Sequence, residues 1–165
     1  MSGTSRLGLP FLSIGQAQKE FTHNEALQTL DLAVAAAVEE SARADPPLSP
    51  AIGDCYIVGA SATGEWSGKS QSVAGFTSGG WRFVGPIEGM TVYVKSEALF
   101  ATFADGAWEM GVVRGSSVAI AGQQVVGPRL AAIASVAGGS TIDAEARLTV
   151  DAILDALRQH GLIDV

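Results

Sequence analysis

The sequence predicts an α+β protein, in which a small antiparallel β-rich domain is flanked by an N-terminal helix and a C-terminal amphipathic helix. Short β-rich runs separated by turn residues predict the domain, and apolar residues at helical spacing predict a helix on each side of it. The β-rich runs cover residues 55–58, 81–84, 91–94 and 99–103. We therefore expect an arm and helix over 1–41, a β-rich core over 42–129, and a linker with a helix over 130–165.

The three tryptophans of the chain mark turns in the central region. Each follows a glycine and one further residue, at Trp66, Trp81 and Trp108. A tryptophan after a hairpin turn is typically a cross-strand packing residue, and we assign that role to Trp81 and Trp108. Trp66 lies in a loop-like stretch and is expected to be exposed. Since an exposed aromatic face can stack on a sugar ring, Trp66 is the candidate glycan contact.

The first 41 residues are predicted to form an arm and a helix. Residues 2–14 carry glycine and proline among apolar residues, which favours an extended arm packed on a neighbouring element or subunit. Thr22 and Glu25 fit a capping box, which predicts a helix over about residues 23–41. The proline-rich segment 46–50 ends it. The apolar face of this helix is formed by Leu27, Leu30, Val34 and Val38.

The C-terminal region contains a hairpin and the clearest helix of the chain. Two short strands around residues 121–123 form the hairpin, and the Ala- and Gly-rich segment 130–140 is interpreted as a linker. Ser140 or Thr141 caps the following helix, and Gly161 is a natural residue to end it. Its apolar residues recur at heptad spacing, which predicts a docking or oligomerisation seam. The seam consists of Ala146, Val150, Ile153 and Leu157, and Leu154 widens it. Because so short a helix is marginal alone, it packs either on its own protein or on other copies, and the flexible linker favours the second.

Composition and charge exclude some classes of function. The net charge of −7 and the scattered lysines and arginines argue against a nucleic-acid-binding protein. No segment approaches the roughly 18–20 apolar residues that cross a bilayer, so we expect no membrane association and synthesis in the cytoplasm. Charged residues make up only 16% of the chain, below the typical value of about 25%. Either other subunits cover part of the surface, or the composition reflects a general preference for small residues.

Residues that carry chemistry do not form a recognisable catalytic or metal-binding pattern. The two histidines, His23 and His160, lie far apart in sequence and make no metal set. Cys55 lies in a strand run with no histidine near it, which predicts a buried structural thiol. The carboxylates of the core stretch, from Asp54 to Glu109, offer no spacing that selects an acid/base pair. We therefore expect a non-enzymatic protein without cofactor or metal.

Several sequence blocks carry a resemblance to a known family. The most specific block joins GQAQK at 15–19 to THNEAL at 22–27. The others are TSRLGLP at 4–10, GDCYIV at 53–58, ATGEWSG at 62–68, DGAW at 105–108, VVGPR at 125–129, IDAEAR at 142–147 and LRQHGLI at 157–163. Together these blocks resemble an uncharacterised domain family of prophages and gene transfer agents, which are phage-like particles that package host DNA. Within gene transfer agents, a short protein of this type is similar to the head spike base.

The resemblance implies a structural component of a phage-like particle. Such a component is an oligomeric spike or fibre base, or an adaptor, between the capsid and a receptor-binding fibre. Its expected partners are copies of itself, as a pentamer or trimer, and the capsid and fibre proteins, on the surface of the particle. The alternative is a carbohydrate-binding module that contacts cell-surface polysaccharide through Trp66. A glycan-degrading enzyme is disfavoured because no acid/base pair can be named.

Overall fold

The computed structural model describes residues 3–13, 15, 19–34 and 36–164. The chain divides into two compact units, one up to Val112 and one from Val113. The first unit contains helix α1 (Lys19–Ala33) and eight strands: β1 (Ala37–Val38), β2 (Glu40–Arg43), β3 (Cys55–Val58), β4 (Val73–Thr77), β5 (Gly80–Val84), β6 (Thr91–Val94), β7 (Leu99–Ala104) and β8 (Ala107–Met110). The second unit contains β9 (Val118–Ile120), β10 (Gln123–Val126) and helix α2 (Ala144–Gln159). This arrangement confirms the α+β class.

The strands of the first unit form two four-stranded sheets. Sheet A has the order β2-β3-β4-β5, and sheet B has the order β1-β6-β7-β8. In each sheet three strands form an antiparallel meander, and the strand at one edge pairs in parallel. Both parallel edge strands come from the single segment 37–43, which therefore passes from one sheet to the other.

The prediction of a helix over residues 23–41 is wrong at both ends. Helix α1 begins at Lys19, so Thr22 lies inside it, and the helix ends at Ala33. The following residues pair instead with distant strands, Ala37 with Tyr93 and Glu40 with Tyr56. Strand pairing and the complete burial of Val38 outweigh the helix propensity of the alanine-rich segment.

The main core lies where side chains from both sheets meet. Val38, Val92, Val94 and Ala101 come from sheet B, and they share one buried cluster with Cys55, Ile57 and Val73 from sheet A. Leu32 of α1 joins this cluster and is 1% exposed. The predicted apolar face of the helix was different, since Leu30 and Val34 are each about half exposed. Leu32 is thus the residue through which α1 packs on the core.

The N-terminal arm folds onto α1 through two polar side chains on one face of the helix. Asp31 is 1% exposed, and its carboxylate accepts hydrogen bonds from the Thr4 hydroxyl (2.8 Å), the Arg6 amide (3.0 Å) and the Leu7 amide (2.6 Å). About two turns earlier in the helix, the Asn24 side chain accepts a hydrogen bond from the Leu12 amide (2.9 Å) and donates one to the Leu12 carbonyl (3.2 Å). The arm therefore packs on a neighbouring element, which is one of the two alternatives that the sequence left open. Its residues 2 and 14 lie outside the described residues.

In the second unit, the predicted hairpin is present as β9 and β10. The sequence-based boundary at residue 129 grouped it with the β-rich core, whereas the division at Val112 places it with the C-terminal helix. The segment after it has no regular secondary structure over residues 131–139. Its start is tied to the end of the chain, since Leu130 donates to the Leu162 carbonyl and accepts from the Asp164 amide. Among the described residues, no helix combines the length and apolar character that crossing a bilayer requires.

Candidate functional site

Helix α2 carries the predicted docking seam, and both of its ends are capped. Asp143 is the N-cap, and its carboxylate accepts a hydrogen bond from the Ala146 amide at 2.9 Å. The expectation that Ser140 or Thr141 caps the helix is wrong, because the helix begins later. At the other end, Gly161 has φ of +68° and donates to the Arg158 carbonyl, while Leu162 donates to the Leu157 carbonyl. This Schellman pattern confirms Gly161 as the residue that ends the helix.

One face of α2 packs on its own unit. Leu154 is only 5% exposed. On the same face, the Arg158 guanidinium donates to the Ile133 carbonyl at 2.7 Å, and Arg147 donates to the Gly138 carbonyl. The segment before the helix therefore lies along this face and is held by hydrogen bonds to its backbone. Packing within the same chain thus occupies the face that contains Leu154.

The remaining seam residues lie on a different face and are mostly exposed. Val150 is 38% exposed, Ile153 is 55% exposed, Ala146 is also exposed, and only Leu157 is half-buried. At 3.6 residues per turn, Leu154 points about 70° away from the mean direction of this seam. The structure thus separates two roles that the sequence merged into one stripe. Leu154 stabilises the unit itself, whereas Ala146, Val150 and Ile153 form an apolar surface that the described residues of the same unit leave at least partly exposed.

Trp66 is buried, so the expectation that it is an exposed aromatic platform is wrong. Its exposed fraction is 0%, the lowest of the large side chains. A single 3₁₀ turn over Gly64–Trp66 carries the indole onto sheet A. There the indole ring packs on Trp81 edge-to-face at 5.0 Å between centroids and on Tyr56 at 5.6 Å. A side chain without exposed surface cannot stack on a sugar, so Trp66 is a packing residue.

Trp81 and Trp108 are packing residues, as predicted. Trp81 packs on the cluster formed by Tyr56, Val58, Trp66 and Ala74 on one face of sheet A. Trp108 packs on the core between the sheets, and its indole N–H donates to the Gln71 carbonyl at 2.8 Å. These contacts confirm cross-strand and core packing for both residues.

The groups with potential reactivity do not form a recognisable site among the described residues. The Cys55 thiol is completely buried, and burial raises its pKa to about 11, which confirms the structural thiol. His23 and His160 are exposed on different units. Of the carboxylates, Asp54 accepts from the Ala51 amide and Glu97 from the Ser41 hydroxyl. Within the described residues, no group of three or more histidine, cysteine or acidic side chains could hold a metal ion.

Sequence reasoning missed the side chains that join α1 to its surroundings. Glu25, assigned to a capping box, forms two hydrogen bonds with Arg82 of β5, both at 2.9 Å. This ion pair holds the pKa of Glu25 below its ordinary value. The role of Asp31 was missed as well, because an aspartate within a helix gives no local signal that a distant arm will use it. The partners of both residues lie more than 20 residues away, beyond any local pattern.

The fold and its surfaces define an α+β protein with a two-sheet body and a separate unit that ends in an amphipathic helix. Comparison with known families then identifies it. Residues 23–109, from α1 to β8, match the model of a family described as a protein of unknown function (DUF2793), and the chain belongs to that family. No curated protein matches the chain.

Proposed function

We propose that this protein is a structural component of a phage-like particle, such as a gene transfer agent or a prophage particle. In this role it is an oligomeric spike or fibre base that connects the capsid to a receptor-binding fibre. The resemblance of the GQAQK and THNEAL blocks to proteins of such particles supports the proposal. The low charge of the chain, 16%, is consistent with a surface that other subunits partly cover.

The observation that carries the proposal is the exposed seam of α2. Ala146, Val150 and Ile153 repeat at heptad spacing, and the described residues of the same unit leave this surface at least partly exposed, although another face of the helix packs on that unit. Burial of each large aliphatic side chain stabilises an assembly by about 1.5–3 kcal/mol. Copies that share this seam therefore gain free energy on association, which offsets part of the cost of lost translational and rotational freedom. Threefold and fivefold arrangements correspond to the symmetry of a fibre and of a capsid vertex, respectively.

The seam is tested by light scattering after size exclusion on the full-length protein and on a variant that carries Val150→Asp and Ile153→Asp. We expect a trimer or pentamer for the natural sequence and a monomer for the variant. Leu148→Asp is the matched control, because Leu148 is 71% exposed on the opposite side of α2. That control is expected to keep the oligomer. A monomeric natural protein, or a variant that still assembles, would remove the seam from the proposal.

The role in the particle requires a second experiment. The gene is deleted in a strain that produces the particles, and the particles are imaged by electron microscopy. We expect heads without their spikes or fibres, and we expect the natural gene, but not the Val150→Asp/Ile153→Asp variant, to restore them. Particles that keep all their fibres without this protein would contradict the adaptor role.

The alternative function, contact with cell-surface polysaccharide, loses the residue on which it was based. Trp66 is buried beneath its own loop and cannot reach a glycan. Trp66→Ala would change the stability of sheet A and therefore could not serve as a test of polysaccharide binding.

A further inference from the structure

A cavity of about 290 Å³ lies between the N-terminal arm, helix α1 and the turn that joins β4 to β5. This volume is close to the lower limit of sites that hold small molecules, which begin at about 300 Å³. Its walls come from four segments distant in sequence. They are the arm with Thr4, Ser5 and Phe11, helix α1 with Gln28, the loop before β3 with Ile52, and the end of β4 and its turn with Thr77 and Ser78.

The buried part of the cavity wall is fixed by hydrogen bonds. Thr4 is 7% exposed, donates to Asp31 at 2.8 Å and accepts from the Leu9 amide at 2.9 Å. Thr77 is 4% exposed, donates to the Gly80 carbonyl at 2.7 Å and accepts from the Gly79 amide at 3.2 Å. Because both hydroxyls are already paired, they hold the wall in one conformation. The cavity is therefore formed before any ligand enters.

Other polar groups in the wall remain available. The side chains of Ser5, Gln28 and Ser78 make no hydrogen bond to another described residue. Together they present two hydroxyl groups, each of which can donate and accept, and one amide with both a donor and an acceptor. They are at least partly exposed, so a ligand that enters the cavity can reach them.

The same wall carries no charge. Among the described lining residues there is no acidic, basic or histidine side chain, while Phe11 and Ile52 add apolar surface. An ion transferred here would lose hydration without gaining a counter-charge, which excludes anions and cations as good ligands. A ligand that matches hydroxyls, an amide and an aromatic ring must be neutral, rich in hydroxyl groups and apolar on one side.

We propose that this cavity binds one unit of a neutral saccharide. The sugar hydroxyls pair with Ser5, Gln28 and Ser78, and the apolar side of the ring lies on Phe11. The site differs in location and in chemistry from the buried Trp66 cluster. It does not depend on the proposed role in a particle, because it requires only the first unit of the chain.

The test uses saturation-transfer NMR on the full-length protein with glucose, galactose and N-acetylglucosamine, each at up to about 100 mM, so that binding with a dissociation constant in the millimolar range is detected. Glucuronic acid is the charged comparison. We expect transfer to at least one neutral sugar and weaker transfer to glucuronic acid. Gln28→Leu keeps the side-chain size but removes the amide, and it should weaken binding about tenfold. Ser78→Tyr should block the cavity and abolish binding.

Matched controls separate the cavity from general effects of substitution. Gln123→Leu and Ser117→Tyr make the same changes at exposed positions of the second unit, and binding should be unchanged. Circular dichroism must show that all four variants are folded. The proposal is overturned if no neutral sugar binds, if glucuronic acid binds as well as the neutral sugars, or if folded Gln28→Leu and Ser78→Tyr both bind like the natural protein.

Discussion

Two hairpins of the first unit each place a phenylalanine opposite a tryptophan, but the two tryptophans pack in different clusters. In β4–β5, Phe76 lies opposite Trp81, and in β7–β8, Phe103 lies opposite Trp108. Both aromatic pairs are in ring contact, at 5.0 and 5.4 Å between centroids. Trp81 nevertheless packs on the face of sheet A that is turned away from sheet B, whereas Trp108 packs in the core between the sheets.

The difference follows from what covers each sheet. Sheet A has a second covered face, because the connection over residues 59–72 returns across it and places Trp66 on Trp81. The corresponding connection in sheet B, residues 95–98, is too short to cover a face. Tyr93 and Phe100 form a ring pair there at 5.3 Å, and Phe100 stays 62% exposed. A hairpin pattern therefore determines the register of two strands, and a distant loop determines which face becomes a core.

The largest expected effect comes from removing the cover of sheet A. Trp66→Ala leaves a large cavity beside Trp81 and Tyr56, and it should lower the free energy of unfolding by about 3–5 kcal/mol. Phe100→Ala is the matched change on the open face of sheet B, and it should cost less than about 1 kcal/mol. Chemical denaturation followed by circular dichroism measures both. Equal losses would mean that the two faces are not covered differently.

A smaller effect on stability is expected at Gly75 of β4, where Leu32 of α1 packs against the strand. A Cβ atom at Gly75 would collide with the Leu32 side chain, whereas at Gly85 it would meet no atom within 4 Å. Gly75→Ala should therefore lower the free energy of unfolding by about 1–3 kcal/mol. Gly85→Ala should change it by at most about 0.5 kcal/mol. If thermal or chemical denaturation finds Gly75→Ala harmless, the helix does not pack closely on β4.

The layer between the sheets can be probed through pH, because Cys55 is buried there. Burial raises the pKa of this thiol to about 11 from an ordinary value of 9.0, so the unfolded chain ionises first as pH rises. The contribution to stability is complete below pH 9 and is lost as pH approaches 11. At pH 10 the loss should be about 1.4 kcal/mol relative to pH 8.

Cys55→Ala isolates that contribution, since other groups also titrate in alkaline solution. Burial raises the pKa of Tyr56 as well, and its effect has the same sign. The free energy of unfolding of the natural protein should therefore fall more steeply between pH 8 and pH 10 than that of Cys55→Ala. Parallel curves would show that water reaches the thiol in the folded protein.

The smallest effect concerns the ion pair that ties α1 to β5. Glu25 and Arg82 are each about one-third exposed, so Glu25→Gln should cost only about 0.5–1 kcal/mol at neutral pH. Because the pKa of Glu25 is lowered in the folded protein, its contribution is present above the ordinary pKa of 4.5 and is lost as pH falls below it. Denaturation at pH 7 and pH 3 should therefore show the two proteins converging in acid. A difference that persists at pH 3 would assign the effect to packing.

The sequence predicted those strands that are rich in β-branched and aromatic residues. Strands β3 and β6 begin and end where the pattern placed them, because their composition alone favours strand structure. Strand β4 was missed, since Gly75 at its centre suggests a break. That glycine is present because Leu32 packs against the backbone there, a contact that no local pattern contains.

The candidate site was predicted in part. Heptad spacing correctly placed Ala146, Val150 and Ile153 on one surface of a helix, because periodicity follows from helix geometry. It could not show that Leu154 packs on its own unit, since that depends on the path of residues 130–140. The prediction that Trp66 is exposed was wrong for a similar reason. Its loop looks polar and exposed in sequence, but the loop folds back over sheet A.

The segment 37–43 has a mechanical consequence. At its centre, the Glu39 amide donates to the Cys55 carbonyl of sheet A, while the Glu39 carbonyl accepts from the Ser96 amide beside sheet B. Tension applied to the chain before Ala37 would therefore load the edge hydrogen bonds of both sheets along the strand direction, so that several bonds would have to break together. Moving the two sheets apart would therefore strain the edge pairing that this segment makes with at least one of them.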